Sequence, residues 1–274
     1  MLSRFCRVCM VLLSASVWSQ EINPAVSVDD RTVGGDPMKR YFLIRHRLEP
    51  GDVPTEYRLL LILPGGSGGA EFLPFCANVL TLAGVPKDIV VAELVAPVWD
   101  KDEALALVWP SRAIPSARAK FTSEDFVDAV IDDVGGQVNV RPGHVFTLGW
   151  SSSGHVLYSS SFENPKIRGS FIAMSRFFPV LRPAAEKARG KRYYFWHSPD
   201  DLVCPYGEAE AAAALLAEHG ASTVVRSYRG GHGWVPFTFY GDRIREALEW
   251  FSATDADADA LKTKITAPIS IPAR

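Results

Sequence analysis

The fold prediction for this chain begins with the stretch Gly149-Trp150-Ser151-Ser152-Ser153-Gly154. An apolar run over residues 144–148 precedes it, and a segment with helical character begins at residue 155. A strand, a tight turn of small residues and a helix, in that order, raise a serine hydroxyl above the edge of a sheet. The G-x-S-x-G pattern fits this turn when it is centred on Ser151, because centring it on Ser152 would put the bulky Trp150 in the crowded position.

An isolated match of this kind is equally explained by a serine-rich turn that caps a helix. A catalytic interpretation needs a base, an acid and oxyanion donors in the right order along the chain. Residues 191–197 predict a strand that runs into a turn-rich loop containing Asp201. Residues 224–228 predict another strand, which ends in Gly230-Gly231-His232. The order Ser151, Asp201, His232 is therefore the order of a nucleophile, an acid and a base on an α/β sheet.

Each of these residue types answers a chemical need. A serine hydroxyl becomes a good nucleophile when a base takes its proton, and an unperturbed imidazole such as that of His232 titrates near neutral pH. The acid holds the imidazole in the correct tautomer. Asp200 is the competing acid, but the spacing from Asp201 to Val203 and Pro205 matches a D-x-V-x-P loop, which favours Asp201.

The oxyanion donors are predicted upstream. The continuous apolar run Tyr57–Leu63 indicates a strand buried on both faces of a parallel sheet, and it ends in the glycine-rich loop Pro64–Gly69. Backbone N–H groups of Gly66 and Ser152 are predicted to bind the oxyanion, with Ser67 as the neighbouring alternative to Gly66. A phosphate-binding loop is the rival interpretation, but neither nucleotide-binding glycine pattern is present.

These segments together resemble secreted serine hydrolases of the α/β-hydrolase superfamily, and in particular the phospholipase/carboxylesterase and dienelactone-hydrolase-like esterases. The resemblance is carried by residues 63–69, 149–155, 201–205 and 230–234. It implies an α/β-hydrolase fold, mainly a parallel sheet with helices on both faces. It also implies hydrolysis of a small-molecule or polymer-borne ester through a serine acyl-enzyme, with no metal and no organic cofactor. The chain departs from the family pattern at Pro64, Ser153 and Ser198, which leaves the substrate within the superfamily open.

The rest of the chain alternates strand and helix patterns, as an α/β domain requires. Further strands are predicted at 39–47, 89–94 and 169–174, and helices at 71–83, 124–134, 206–219 and 242–251. Ser123 is the predicted cap of the helix over 124–134. Pro74 is predicted to interrupt the helix over 71–83.

Two rival functions remain. A serine peptidase of the prolyl-oligopeptidase type would use the same three residues, although no propeller-sized region precedes the predicted domain. A catalytically silent binding protein on the same scaffold would be expected to lack one of the three, and Ser151, Asp201 and His232 are all present.

The ends of the chain differ in kind from its middle. With 274 residues, 47% of them hydrophobic, the chain suits one globular domain, predicted over 39–251. Residues 1–19 have basic residues, a short apolar stretch and a small-residue end, which predicts a secretory signal peptide and a secreted or periplasmic protein. An uncleaved anchor is the alternative. Residues 20–38 and 252–274 are predicted to be a mobile lead-in and a mobile tail.

The net charge of the mature chain argues against nucleic acid as a partner, and its cysteines leave two possible states open. After removal of residues 1–19 the chain holds 27 basic and 31 acidic residues, a net charge of −4, which gives no basic patch for nucleic acid. Cys76 and Cys204 are the cysteines left in the mature chain, and they could form a disulfide or remain two buried thiols.

Four tryptophans are candidates for the walls of a substrate pocket. Trp99 and Trp109 lie in the irregular segment 97–121, which should leave the active-site edge of the sheet. Trp150 and Trp234 neighbour the predicted nucleophile and base. Ordinary packing against the sheet is the alternative for each of them.

Overall fold

The computed structural model describes residues 21–82, 84–104, 106–233 and 241–266. Its strands are β1 (Val26–Thr32), β2 (Arg40–His46), β3 (Tyr57–Leu63), β4 (Ile89–Leu94), β5 (Val140–Trp150), β6 (Ile167–Ala173), β7 (Arg192–His197) and β8 (Ser222–Ser227). They form one sheet in the order β1-β2-β4-β3-β5-β6-β7-β8. The pairs β1–β2 and β2–β4 are antiparallel and the other five pairs are parallel. The prediction of a mainly parallel sheet is confirmed.

Helices connect most of the parallel strands. The α-helices are α1 (Leu73–Asn78), α2 (Lys101–Ala104), α3 (Ser123–Gly135), α4 (Gly154–Glu163), α5 (Tyr206–Glu218), α6 (Asp242–Ser252) and α7 (Asp255–Thr266). Short 3₁₀ helices lie at Val33–Gly35, Pro50–Asp52, Ala70–Phe72, Val79–Thr81, Ser151–Ser153 and Pro179–Ala188. Across the described ranges, no helix has the length and apolar character that a bilayer span requires.

The apolar side chains of β3 contribute to the cores on both faces of the sheet, because successive side chains of a strand point to opposite sides. Leu59, Leu61 and Leu63 belong to a core that contains buried residues of α3, α4 and α5. Leu60 and Ile62 belong to a second core with buried residues of α1, α6 and α7. The prediction of helices on both faces is therefore confirmed, and β3 lies in the middle of the molecule.

Parts of the predicted mobile lead-in and of the predicted mobile tail form regular structure. Within the predicted lead-in 20–38, residues 26–32 form β1, which pairs along its whole length with β2. Within the predicted tail 252–274, residues 255–266 form α7, which buries Ala258 and Ile265 in the second core. The polar composition of these segments predicted mobility. Backbone pairing holds residues 26–32 against β2, and apolar contacts hold residues 255–266 against the second core. The predicted signal peptide 1–19 lies outside the described residues.

Two local predictions are corrected. The cap of α3 is Thr122, whose hydroxyl accepts a hydrogen bond from the Asp125 N–H at 3.2 Å while the Asp125 carboxylate accepts one from the Thr122 N–H. The Ser123 hydroxyl instead donates to the Pro110 carbonyl at 2.7 Å. Pro74 lies in the first turn of α1, where a proline is tolerated, and so begins this helix instead of interrupting it.

One carboxyl group is buried on the face of the sheet that contributes to the second core. Glu93 of β4 is fully buried, and its carboxyl faces the Cys76 thiol. Burial raises the pKa of Glu93 well above its usual range, because it disfavours the charged carboxylate. The Cys76 thiol beside it is also fully buried, and both Cys76 and Cys204 are free thiols.

This carboxyl should make stability depend on pH. Because the pKa of Glu93 is higher in the folded state, its contribution to the free energy of unfolding is complete below the unfolded-state pKa. This contribution is lost as pH rises toward the folded-state pKa, by about 1.4 kcal/mol for each pH unit in that interval. Glu93→Gln removes this titration. We therefore expect the difference in free energy of unfolding, Glu93→Gln minus the original chain, to increase from pH 5 to pH 8 in urea titrations. Glu210→Gln, at an exposed position of α5, is the control, and an equal change in both variants would contradict the expectation.

Candidate active site

The turn after β5 holds Ser151 in a strained conformation at the carboxyl edge of the sheet. Its φ is +55°, in the left-handed region that non-glycine residues rarely occupy and that costs about 1–3 kcal/mol. The strand before it is paired to β3 and β6, and the helix after it is α4. The Ser175 hydroxyl, which follows β6, donates to the Ser151 carbonyl at 2.7 Å. The turn is thus held from a neighbouring strand, and the Ser151 hydroxyl projects away from the sheet.

The sharpness of this turn explains the small residues around it. A Cβ atom on Gly149 would meet the Ser153 hydroxyl at 2.6 Å and the Leu63 carbonyl at 2.8 Å. Ser153, which stands where the pattern has glycine, is fully buried. Its hydroxyl donates to the Leu63 carbonyl at 2.7 Å and accepts from the Trp150 N–H at 3.0 Å. The departure at Ser153 therefore adds a hydrogen bond between the turn and the end of β3.

The structure brings Ser151, His232 and Asp201 into one hydrogen-bonded chain. The Ser151 Oγ lies 2.9 Å from His232 Nε2, and His232 Nδ1 lies 2.8 Å from Asp201 Oδ2. A carboxylate oxygen only accepts, so Nδ1 carries the ring proton and donates it. Nε2 then presents its lone pair to the serine, and Ser151 donates to it. This is the arrangement in which an imidazole can remove the proton of a serine hydroxyl.

Asp201 is buried, yet it is kept ionised. Burial by itself would raise its pKa, but hydrogen bonding from His197, from His232 and from the Cys204 N–H outweighs that effect and holds the pKa of Asp201 well below its usual range. The N–H groups of Val203 and Cys204 both donate to Oδ1 at 2.8 Å. Asp200, the competing acid, instead forms an ion pair with the exposed Arg229.

The loop that carries His232 is held by two groups that were not singled out as functional in the sequence. The Ser198 hydroxyl accepts a hydrogen bond from the Gly231 N–H at 3.1 Å, and it accepts another from the Asp200 N–H at 3.1 Å. The Tyr228 hydroxyl donates to the Gly231 carbonyl at 3.0 Å. Ser198 thus connects the acid loop to the base loop. The departure from the family pattern at Ser198 was visible in the sequence and was the signal that could have pointed to this role.

The glycine-rich loop lies beside the turn. Gly66 has φ +61°, and its N–H donates no hydrogen bond within the described part of the chain. The Ser152 hydroxyl donates to the Gly66 carbonyl at 3.1 Å, which joins the two predicted oxyanion residues. Gly65 lies so close to Trp150 that a Cβ atom there would overlap the Trp150 carbonyl and indole ring. Only glycine lets the loop approach the turn this closely.

Three of the four predicted pocket tryptophans are described, and two of them are packed inside the protein. Trp109 is fully buried: its indole N–H donates to the Pro64 carbonyl at 2.9 Å, and its carbonyl accepts from His155 Nε2 at 2.8 Å. Trp150 is 4% exposed and packs edge-on against two phenylalanines. These two side chains support the loops instead of lining an open pocket. Trp99 is partly exposed and packs edge-on against Phe121, and Trp234 lies outside the described residues.

Asp201, Cys204 and His232 also form a cluster of potential metal ligands. One ligand atom from each lies within 4.8 Å of the others. However, Asp201 Oδ2 and His232 Nδ1 already share a hydrogen bond. Burial and, less strongly, the Asp201 charge raise the pKa of the Cys204 thiol to about 12, so this thiol stays protonated near neutral pH. The geometry favours proton transfer at this position over metal coordination.

A cavity elsewhere in the fold does not serve this site. It measures about 240 Å³ and is lined by residues at the amino ends of β3 and β4, among them Tyr57 and Ile89. Ser151 lies at the opposite, carboxyl edge of the sheet. In open α/β sheets ligands bind at the carboxyl edge, where Ser151, Asp201 and His232 meet.

No family model matches the chain, and no curated protein matches it significantly. Solved structures match its fold. A protein assigned as a dienelactone hydrolase from Klebsiella pneumoniae subsp. pneumoniae has a TM-score of 0.63 at 10% identity, covering 84% of this chain and 100% of its own. An acylaminoacyl peptidase from Pyrococcus horikoshii has a TM-score of 0.60 at 10% identity, covering 86% of this chain and 44% of its own. A carboxylesterase from Lactobacillus plantarum has a TM-score of 0.55 at 15% identity, covering 76% of this chain and 85% of its own. Taken with the strand order, these likenesses show that the chain has the α/β-hydrolase fold.

Proposed function

We propose that this protein is a serine hydrolase that cleaves carboxylic esters through an acyl-enzyme. The observation that carries the proposal is the hydrogen-bonded chain from Ser151 through His232 to Asp201, with distances of 2.9 and 2.8 Å. The strained φ of Ser151 supports it, because backbone strain of this kind is concentrated at functional sites.

The proposed reaction follows from the geometry. His232 Nε2 takes the proton of Ser151 while Oγ attacks the ester carbonyl, and the N–H groups of Gly66 and Ser152 bind the oxyanion that forms. Collapse of this intermediate breaks the ester bond, and His232 gives its proton to the leaving alkoxide. Water then attacks the acyl-enzyme with His232 again as the base, which releases the acid and restores Ser151. Throughout, the ionised Asp201 stabilises the imidazolium.

The surface around the site supports an apolar acyl group in the substrate. Five exposed large apolar residues follow the carboxyl ends of β4, β6 and β7, on the edge where Ser151 lies: Val98, Phe178, Val180, Leu202 and Val203. Leu202 is 96% exposed, although it directly follows the proposed acid. An apolar rim of this kind would stabilise an acyl chain by removing both surfaces from water.

A serine peptidase is the second candidate, since acylaminoacyl peptidases share the fold. The chain spans 44% of the Pyrococcus horikoshii peptidase and 100% of the protein assigned as a dienelactone hydrolase. We also propose secretion. The pattern of residues 1–19 supports it, and N-terminal sequencing of the mature protein should begin at Gln20.

Parallel assays separate these functions. We expect hydrolysis of p-nitrophenyl esters of graded acyl length, with little cleavage of the matching aminoacyl p-nitroanilides, and stoichiometric labelling of Ser151 by a fluorophosphonate probe. Faster cleavage of the anilides would replace the esterase by a peptidase. Absence of both labelling and turnover would favour a catalytically silent protein on this fold.

A further inference from the structure

The Asp201 carboxylate has a second histidine against it. His197, the last residue of β7, is 1% exposed, and its Nε2 lies 3.2 Å from Asp201 Oδ2. The same oxygen accepts from His232 Nδ1 at 2.8 Å. Two imidazoles therefore converge on one carboxylate oxygen, and only one of them, His232, has a part in the proposed reaction.

The acceptor atoms around His197 determine which of its ring nitrogens carries a hydrogen. Its Nε2 also lies 2.7 Å from the Cys204 carbonyl. A carbonyl oxygen and a carboxylate oxygen can both only accept, so Nε2 carries a hydrogen and donates. The closer acceptor is the Cys204 carbonyl. This one N–H thus contacts both ends of the turn from Asp201 to Cys204, within which the Cys204 N–H donates back to Asp201 Oδ1.

We propose that His197 is a positioning residue for the Asp201–His232 pair. It fixes the rotation of the carboxylate and takes up part of the negative charge on Oδ2. An oxygen that is shared by two donors holds each of them less strongly than an oxygen with one donor. Removing His197 should therefore loosen the orientation of Asp201 and also strengthen its attraction for the protonated His232. This inference rests on the proposed function, in which His232 must lose its proton before Ser151 can attack.

Among the residues that the structure describes, the remaining charged groups around this carboxylate are paired or neutral. They are the ion pairs Arg176–Glu208 and Arg229–Asp200 and the protonated side chains of Cys204, Tyr206 and Tyr228. Both ion pairs are partly exposed, so solvent screens them. A change in the pH profile on substitution of His197 is then assigned to the lost contact with Asp201.

The test compares a variant that removes the donor with one that keeps it. In the full chain, His197→Leu should lower kcat for a p-nitrophenyl ester about 10- to 100-fold without raising KM, because His197 is too buried to reach the substrate. The acid limb of kcat/KM against pH should move to higher pH. His197→Gln, whose amide nitrogen can occupy the position of Nε2, should restore most of kcat and the original acid limb.

A spectroscopic readout makes the test independent of turnover. The low-field proton resonance of His232 Nδ1–H should shift in His197→Leu and return in His197→Gln. A folded His197→Leu with an unchanged pH profile and resonance would overturn the proposal, and so would a His197→Gln that behaves like His197→Leu. If His197→Leu does not fold, His197→Asn replaces it, since its shorter amide does not reach the Nε2 position. His144→Gln, at a partly exposed position within β5, is the control.

Failure of the proposed function would give a different result. The original chain would then show no ester turnover and no labelling of Ser151 by the fluorophosphonate probe. The resonance of His232 would still report whether His197 acts on the Asp201–His232 pair.

Discussion

Replacement of Ser151 by alanine is expected to lower kcat for a p-nitrophenyl ester by about 10⁶-fold, the loss that follows removal of the nucleophile from an Asp-His-Ser unit. The reason is that His232 Nε2 would face a methyl group instead of a hydroxyl at 2.9 Å. Labelling by a fluorophosphonate should disappear with turnover. Stopped assays at high enzyme concentration would measure the residual rate.

Ser152→Ala is the matched control for this prediction. Its hydroxyl donates to the Gly66 carbonyl, but the backbone N–H that we assign to the oxyanion remains in the variant. We expect a loss of about tenfold at most, since the cost is that of one neutral hydrogen bond. A larger loss in Ser152→Ala than in Ser151→Ala would move the nucleophile to Ser152 and contradict the assignment.

Replacement of Arg192 by methionine is expected to lower the free energy of unfolding by about 3–5 kcal/mol, or the melting temperature by on the order of 10 °C. The Arg192 side chain is 3% exposed at the start of β7. Its Nη1 donates to the carbonyls of Trp250, Phe251 and Ala253 at 2.6, 3.2 and 2.8 Å. Methionine fills a similar volume but leaves these carbonyls at the end of α6 without a donor.

The control for Arg192 is Arg141→Met, which breaks a partly exposed ion pair with Glu56 and should cost less than about 1 kcal/mol. Hydrogen exchange gives a second readout, because Arg192 Nη2 also donates to Asp255 at the start of α7. Protection over 255–266 should fall in Arg192→Met before global unfolding. Equal melting temperatures for the two variants would show that the buried guanidinium does not hold α6 and α7.

The central strands could be predicted because their apolar pattern has one physical explanation. Residues 57–63 and 89–94 are short, mainly apolar runs rich in branched residues, as strands buried on both faces are, and the structure has β3 and β4 with these bounds. The turn around Ser151 was predictable for a similar reason. Few arrangements other than a strand, a crowded turn and a helix need small residues at 149, 153 and 154.

Groups that act across long sequence distances could not be predicted in this way. His197 is an ordinary strand residue in the sequence, and only the closeness of its ring to Asp201 and Cys204 gives it a role. Trp109 was a candidate for the substrate pocket until its indole was found to donate to the Pro64 carbonyl inside the protein. The polarity of residues 252–274 predicted a mobile tail. Nothing in that part of the sequence shows that Asp255 accepts a hydrogen bond from the distant Arg192.

The sequence by itself determined the order of the strands and main helices between residues 39 and 251, the strained turn and the three side chains that meet there, because hydrophobic period, glycine placement and residue chemistry are local properties of the chain. The tertiary structure alone decided which oxygen of Asp201 faces His232, which tryptophans are enclosed, and where residues 26–32 and 255–266 pack. These depend on distances between residues far apart in sequence, and such distances exist only once the sheet has brought the loops together.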